Sequence, residues 1–234
     1  PANWYSEGVD HQGVLWYRTR FTLPALDTDN MATLVFDGVD YQTDVWLNNQ
    51  QAGQHKGYFQ RFSIDITDTA RIENVLAVRV DSPYETPGKV WSFHKQLVKG
   101  VFNHHDTRPG GAWSDRGQDA NSGGIWAPVT SHISRGAVID NVLAVPDWSR
   151  GLEHPILKVS LDYRANRNRS VVMSLRLIPD NFIGQSYQLE KSVSLLASQH
   201  DAQTLTANFA LDNPALWWPA GHGKQNLYRL EVSF

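Results

Sequence analysis

Apolar and polar residues alternate with a period of two in segment after segment of this chain, and that pattern admits few folds. From Tyr41 to Leu47, Tyr41, Thr43, Val45 and Leu47 share one side of an extended strand, while Gln42, Asp44 and Trp46 share the other. Phe62, Ile64 and Ile66 alternate with Ser63 and Asp65, and Leu76, Val78 and Val80 with Ala77 and Arg79. Trp16 to Phe21 and Thr33 to Phe36 are strands on composition. Strands that bury one face and wet the other belong to antiparallel sheets, so this half predicts a sandwich. The connections agree: Asn48-Asn49 tolerates positive φ, and Thr67-Asp68 breaks a strand. Asp37-Gly38 reads as hairpin chemistry, Trp46 as an inter-sheet core position, and Asp65 and Thr67 as turn-capping groups.

The second half repeats the alternation with new spacing. Leu157, Val159, Leu161 and Tyr163 alternate, as do Val171, Met173, Leu175 and Leu177. Strands follow at Tyr187 to Leu195, Leu205 to Leu211 and Tyr228 to Phe234, and Ile139 to Val145 leads the set. Six or seven short strands in about 95 residues are what an immunoglobulin-like sandwich needs. At 234 residues the chain has room for two such cores. The boundary falls near Gly136 to Asn141, after an Ile125 to Ile133 strand and the polar break Ser134-Arg135-Gly136. The expected domains are 1–138 and 139–234. Arg164, Arg167 and Arg169, set around Asn166 and Asn168, read as a solvated hairpin tip.

Between the halves, residues 82–124 are rich in Pro, Gly, Asp and His and show no convincing strand. A loop longer than about 15 residues inside a compact domain is uncommon, and such loops are often functional. Val90, Phe93, Leu97, Val98 and Val101 recur at helical spacing and predict one short amphipathic helix. The segment also brings Trp91 and Trp113 together with His, Asp and Arg side chains. Rings that stack on C–H faces beside carboxylates that fix hydroxyls make a sugar subsite. A solvated loop tied down by its own ion pairs would have the same composition.

Several function classes drop out. The formal net charge is −3 with no block of like charge, which argues against nucleic-acid and anionic-membrane partners. No apolar run reaches the ~18 residues of a bilayer span. The opening Pro-Ala-Asn-Trp-Tyr carries neither the basic start nor the apolar stretch of a secretory leader, and a chain beginning downstream of one would look the same, so the compartment stays open. Cysteine is absent, which removes disulfides, thiol catalysis and cysteine-zinc sites together. His104-His105-Asp106 is the best metal candidate, but successive residues on extended chain point to opposite sides, so no metal is expected. Neither a phosphate-binding loop nor a dinucleotide fingerprint is present, and no cofactor is expected.

A series of motifs then points further. Trp16-Tyr17-Arg18-Thr19-Arg20-Phe21, Phe36-Asp37-Gly38-Val39-Asp40 and Val45-Trp46-Leu47-Asn48 come first. Gly57-Tyr58-Phe59, Asp65-Ile66-Thr67 and Asn74 to Val80 follow, and Gly123-Gly124-Ile125-Trp126-Ala127-Pro128-Val129 closes the half. Near the end stand Leu216-Trp217-Trp218-Pro219 and then Gly221, Gly223, Gln225, Leu227 and Tyr228. In this order the chain resembles the first two domains of glycoside hydrolase family 2. The resemblance implies an all-β fold: a galactose-binding-like jelly-roll β-sandwich followed by an immunoglobulin-like β-sandwich. Trp217-Trp218-Pro219 is then expected to pack where one domain meets the next.

In that family the chemistry lies in a third domain, a (β/α)₈ barrel with two catalytic glutamates, of which the acid/base follows an asparagine. None of the six glutamates here follows an asparagine, and no βαβα alternation supports a barrel. The chain is therefore expected to hold no catalytic residue. Its expected partners are carbohydrate and the barrel of a longer parent enzyme, which the first domain would buttress. The Leu-Trp-Trp-Pro ending resembles the β-mannosidase and exo-glucosaminidase branch more than the β-galactosidase or β-glucuronidase branch. The resemblance places an Asp five or six residues before the closing Gly-Ile, reaching the sugar, and Asp119 fits with Asn121 as runner-up. Trp91 and Trp113 complete the candidate carbohydrate-binding set. A free-standing carbohydrate-binding module and an adhesive pair of β-sandwiches are the competing readings.

Overall fold

The computed structural model describes residues 13–82 and 123–234, and no helix occurs among them. The expected helix over residues 90–101 lies outside the described residues. The chain divides into two compact units, Pro1–Arg135 and Gly136–Phe234.

In the first unit, strands β1 (Gly13–Thr22), β2 (Asn30–Phe36), β3 (Val39–Asp40), β4 (Gln42–Leu47) and β5 (Gln50–Lys56) precede β6 (Phe62–Asp65) and β7 (Glu73–Ser82). Past the undescribed segment come β8 (Gly124–Ile125) and β9 (Val129–Arg135). They form a four-stranded sheet in the order β1-β7-β4-β5, a three-stranded sheet β6-β2-β9, and the short pair β3-β8. Every pairing is antiparallel. The sequence alternation becomes burial alternation: Leu76, Val78 and Val80 of β7 point inward, as do Val45 and Leu47 of β4, to meet Leu34, Phe36 and Ile64. This is the expected jelly-roll sandwich.

Asn48 and Asn49 both take positive φ, 50° and 69°, which matches the strand twist of a two-residue hairpin. The Asn48 side chain does more than turn the chain. Its Nδ2 donates to the Thr69 carbonyl at 2.8 Å and to Asn74 Oδ1 at 3.0 Å, and its Oδ1 accepts from the Val75 N–H at 3.0 Å. Asp65 caps its turn as expected, accepting from the Thr67 N–H at 2.8 Å.

Four expectations are corrected. Trp46 is not a core residue: it lies on the outer face of β4, half-buried against Trp16. Gly38 is set by packing rather than by a turn, since a Cβ there would sit 2.4 Å from the Trp126 ring. Ile125 to Ile133 is not one strand, because Trp126, Ala127 and Pro128 interrupt it between β8 and β9. Finally β5, Gln-Gln-Ala-Gly-Gln-His-Lys, is a strand that the pattern missed. It is a sheet edge held by backbone pairing to β4, so it needs no apolar alternation.

One residue of β5 carries a pH dependence. His55 stacks on Phe62 with ring centroids 4.1 Å apart, and Phe62 stacks in turn on Phe36 at 4.8 Å. Its Nε2 is buried without a hydrogen-bond partner among the described residues. Burial lowers the His55 pKa below its ordinary 6.5. The unfolded chain then binds a proton more readily than the folded one. Stability is full above pH 6.5 and falls with pH across the window from 6.5 down to the folded-state value. His55→Phe keeps the stack and removes the proton site. Its melting temperature should drop less than that of the parent chain between pH 7.5 and pH 5; equal drops would clear His55 of any part.

The second unit runs β10 (Ala137–Asp147), β11 (Ile156–Ala165), β12 (Arg169–Pro179), β13 (Tyr187–Leu195), β14 (Ser198–Ala210) and β15 (Tyr228–Ser233). Two three-stranded antiparallel sheets result, β10-β11-β14 and β13-β12-β15, an immunoglobulin-like sandwich. Its core centres on Leu161, Met173 and Leu175, which are at most 1 % exposed. Tyr187 anchors the start of β13 by donating its hydroxyl to the Asp212 carbonyl at 2.7 Å. Burial, with Tyr228 alongside, pushes its pKa up to about 12, so the donor stays protonated.

Arg164 corrects the hairpin-tip reading. Its side chain is only 7 % exposed and grips Asp140 with two parallel bonds, Nε to Oδ2 at 2.7 Å and a terminal nitrogen to Oδ1 at 2.8 Å. Asp140 sits at the irregularity between Ile139 and Asn141, which turns its side chain onto the Arg164 fork. Arg167 alone of the three arginines is exposed.

Candidate functional site

The undescribed segment leaves the first unit at Ser82 and returns at Gly123, so its root is fixed by described residues. Ser82 ends β7 and is fully buried, as is Asp40 at the end of β3. The Ser82 hydroxyl donates to Asp40 Oδ1 at 3.2 Å. Across the short pair, Asp40 stands opposite Gly124 and Val39 opposite Ile125. A buried carboxylate without hydrogen bonds would be costly, and here the outgoing strand supplies one.

Beside this root the chain builds an aromatic corner. The Tyr41 and Tyr58 rings lie 5.6 Å apart, Tyr58 and Phe59 5.6 Å, and Phe59 meets Trp126 edge-on at 5.9 Å. Trp126 donates its Nε1–H to the Tyr58 carbonyl at 3.0 Å, and its ring occupies the space that a side chain at Gly38 would fill. Backbone bonds close both ends: Ala127 N–H to the Gly38 carbonyl at 3.3 Å and Asp37 N–H to the Pro128 carbonyl at 3.0 Å. Lys56 Nζ stands 5.6 Å from the Tyr41 ring centroid, a cation–π distance. Arg61 pairs with Asp37 at 3.3 Å on the rim. Phe59 is left 51 % exposed.

The corner thus presents an exposed ring next to hydrogen-bonding rim groups, at the place from which the 83–122 segment springs. It can stack on a sugar face or cover a neighbouring domain. Of the expected site residues, Trp91, Trp113, Asp119 and Asn121 all lie outside the described residues. Phe59, Lys56 and the Asp40–Ser82 contact were not singled out from sequence. The signal for Phe59 was present in Gly57-Tyr58-Phe59, whose two adjacent rings cannot both point inward on extended chain.

Among the described residues no group of three or more His, Asp or Glu side chains is placed to hold a metal ion. No helix among them is long and apolar enough to cross a membrane. In the second unit Trp217 and Trp218 are 54 % and 42 % exposed. They sit on a loop pinned by Gln225, whose Nε2 donates to the Trp218 and Gly223 carbonyls at 2.9 Å each.

Comparison with known proteins bears on both units. Residues 8–128 match the glycosyl hydrolase 2 galactose-binding domain-like family, and residues 137–234 match glycosyl hydrolases family 2. A mannosylglycoprotein endo-β-mannosidase from Lilium longiflorum is 27 % identical over 97 % of this chain and 26 % of its own length. β-Mannosidase B from Thermothelomyces thermophilus is 27 % identical over 93 % of this chain and 25 % of its own. Among solved structures, a β-D-mannosidase from Dictyoglomus thermophilum superposes with a TM-score of 0.68 at 22 % identity, covering 94 % of this chain and 27 % of that one. The chain therefore spans about a quarter of the length of these relatives.

Proposed function

Because the chain belongs to glycosyl hydrolases family 2, with a galactose-binding-like domain followed by the family's second domain, we propose that it is the non-catalytic N-terminal portion of a longer β-glycosidase. The parent hydrolyses a β-mannoside. The first domain buttresses the absent barrel and lends the 83–122 segment to carbohydrate binding, with Asp119 reaching a sugar hydroxyl, Asn121 beside it, and Trp91 and Trp113 as stacking rings. Domain bounds of 1–138 and 139–234 go with this reading. One observation carries it: two family domains stand in series while no glutamate follows an asparagine. Retaining hydrolysis needs two carboxyls about 5–5.5 Å apart across the scissile bond, which the family places in the barrel.

The test compares the 234-residue chain with the full-length parent on 4-nitrophenyl β-D-mannoside. The chain should release no nitrophenol, and stoichiometric, reproducible turnover by it would sink the accessory reading. In the parent, Asp119→Ala should lower kcat/KM at least about tenfold, the weight of a charge-assisted hydrogen bond. The melting temperature should not move. An unchanged kcat/KM, or a loss matched by unfolding, would assign Asp119 to the loop's own structure.

A further inference from the structure

The outer face of the β1-β7-β4-β5 sheet is organised for binding. Side chains pointing away from the core fall into rows across the strands: Trp16, Arg79 and Asp44 in one, Arg18, Ala77 and Trp46 in the next. Because Ala77 is small, the two indoles meet over β7, with centroids 5.0 Å apart and planes tilted by 36°. Trp16 remains 59 % exposed. Arg79 beside them is held by Asp44 at 3.0 Å and Asp81 at 3.1 Å.

Past Arg18 the same face deepens into a cleft of about 660 Å³. Arg18, Arg20 and Arg71 line it, with Glu73 as the one carboxylate of the lining. All three arginines are exposed, and none forms an ion pair with a described carboxylate. The floor is rigid, because the Asn48 side chain ties Thr69, Asn74 and Val75 together beneath it. In a chain of net charge −3, three unneutralised guanidinium groups around one cleft form a local excess of positive charge.

We infer that this face binds a uronate-bearing oligosaccharide. A hexose ring stacks its C–H face on the Trp16–Trp46 pair, and the carboxylate of an adjoining unit seats among Arg18, Arg20 and Arg71. Guanidinium forks match a carboxylate with two parallel bonds, which a neutral sugar cannot return. Asp44 and Asp81 accept bonds from hydroxyls beside the platform. They also neutralise Arg79, so the face lacks the continuous positive groove that a phosphodiester chain tracks. This inference uses neither the 83–122 segment nor the catalytic reading of the parent, and it can fail or hold independently of both.

The experiment titrates the full 234-residue chain with three tetrasaccharides: β-1,4-linked glucuronate, neutral cellotetraose, and a sulfated heparin fragment. Calorimetry and tryptophan fluorescence are read together. The glucuronate tetramer should saturate, and the neutral one should bind at least about tenfold more weakly. Arg20→Gln and Arg71→Gln should each weaken glucuronate binding about fivefold, the upper weight of an exposed ion pair. Trp16→Ala should weaken it about tenfold. Glu73→Gln should strengthen it, and added salt should weaken it. All four positions are exposed, so melting temperatures should stay put and report that the variants fold. Equal affinity for the neutral tetramer, binding of the sulfated fragment alone, no saturation by any of the three, or arginine variants that bind like the parent chain would each overturn the inference.

Discussion

Asp140→Ala should destabilise the immunoglobulin-like unit by about 3–5 kcal/mol, because it removes the carboxylate that accepts two bonds from the Arg164 guanidinium in a place that is almost dry. For a unit of this size that is a fall of roughly 15 °C or more in melting temperature. The direction of the asymmetry is the informative part. Removing both charges together, as Asp140→Leu with Arg164→Met, should recover most of the loss, since two apolar groups need no partner. If the double variant is as unstable as the single, the pair contributes through packing and not through its charges. If Asp140→Ala is silent, water or another group satisfies Arg164 in solution.

Gly38→Ala is the second large effect, about 2 kcal/mol of destabilisation through overpacking. The new methyl would stand 2.4 Å from Trp126 Cε2 and Cζ2, so something must move. The backbone cannot yield easily, with hydrogen bonds joining Asp37 to Pro128 and Gly38 to Ala127 on either side. Nor can the ring swing out without giving up its bond to the Tyr58 carbonyl. Trp126→Phe should shrink the obstacle, so the double variant Gly38→Ala/Trp126→Phe should be more stable than the sum of the two singles predicts. Thermal melts of all four proteins measure that coupling, and strict additivity would mean that the ring and the methyl never meet.

Period-two alternation made most of the strands legible, because β4, β7, β11 and β12 each bury one face. It failed for β5, whose Gln-rich edge is held by backbone bonds that any residue can make. Trp46 was misplaced by departing from that rule. Alternation placed it opposite Val45 and Leu47, yet its neighbours argued for the core, and the structure follows the alternation. Arg164 defeated the charge rule, since an arginine among asparagines looks solvated until its partner, 24 residues earlier, is brought beside it. Gly38 was flagged correctly but for the wrong cause, because a close ring approach leaves no local trace. The candidate site was the least legible part. Its expected residues fall in a segment without strand alternation, while the corner at its root draws Asp40, Tyr58, Ser82 and Trp126 from four separate stretches of sequence.

The Trp16–Trp46 pair has an optical consequence. Two indoles 5.0 Å apart and tilted by 36° couple their strongest ultraviolet transitions and produce an exciton couplet in circular dichroism. That couplet overlaps the region from which β content is normally extracted, so the spectrum of the folded chain will depart from that of a plain β protein. The departure is useful. Since Trp16 and Trp46 come from strands separated by β7, the couplet exists only when β1, β7 and β4 are in register. Its amplitude during unfolding therefore reports the assembly of one named sheet, and the Trp16→Ala spectrum subtracts it.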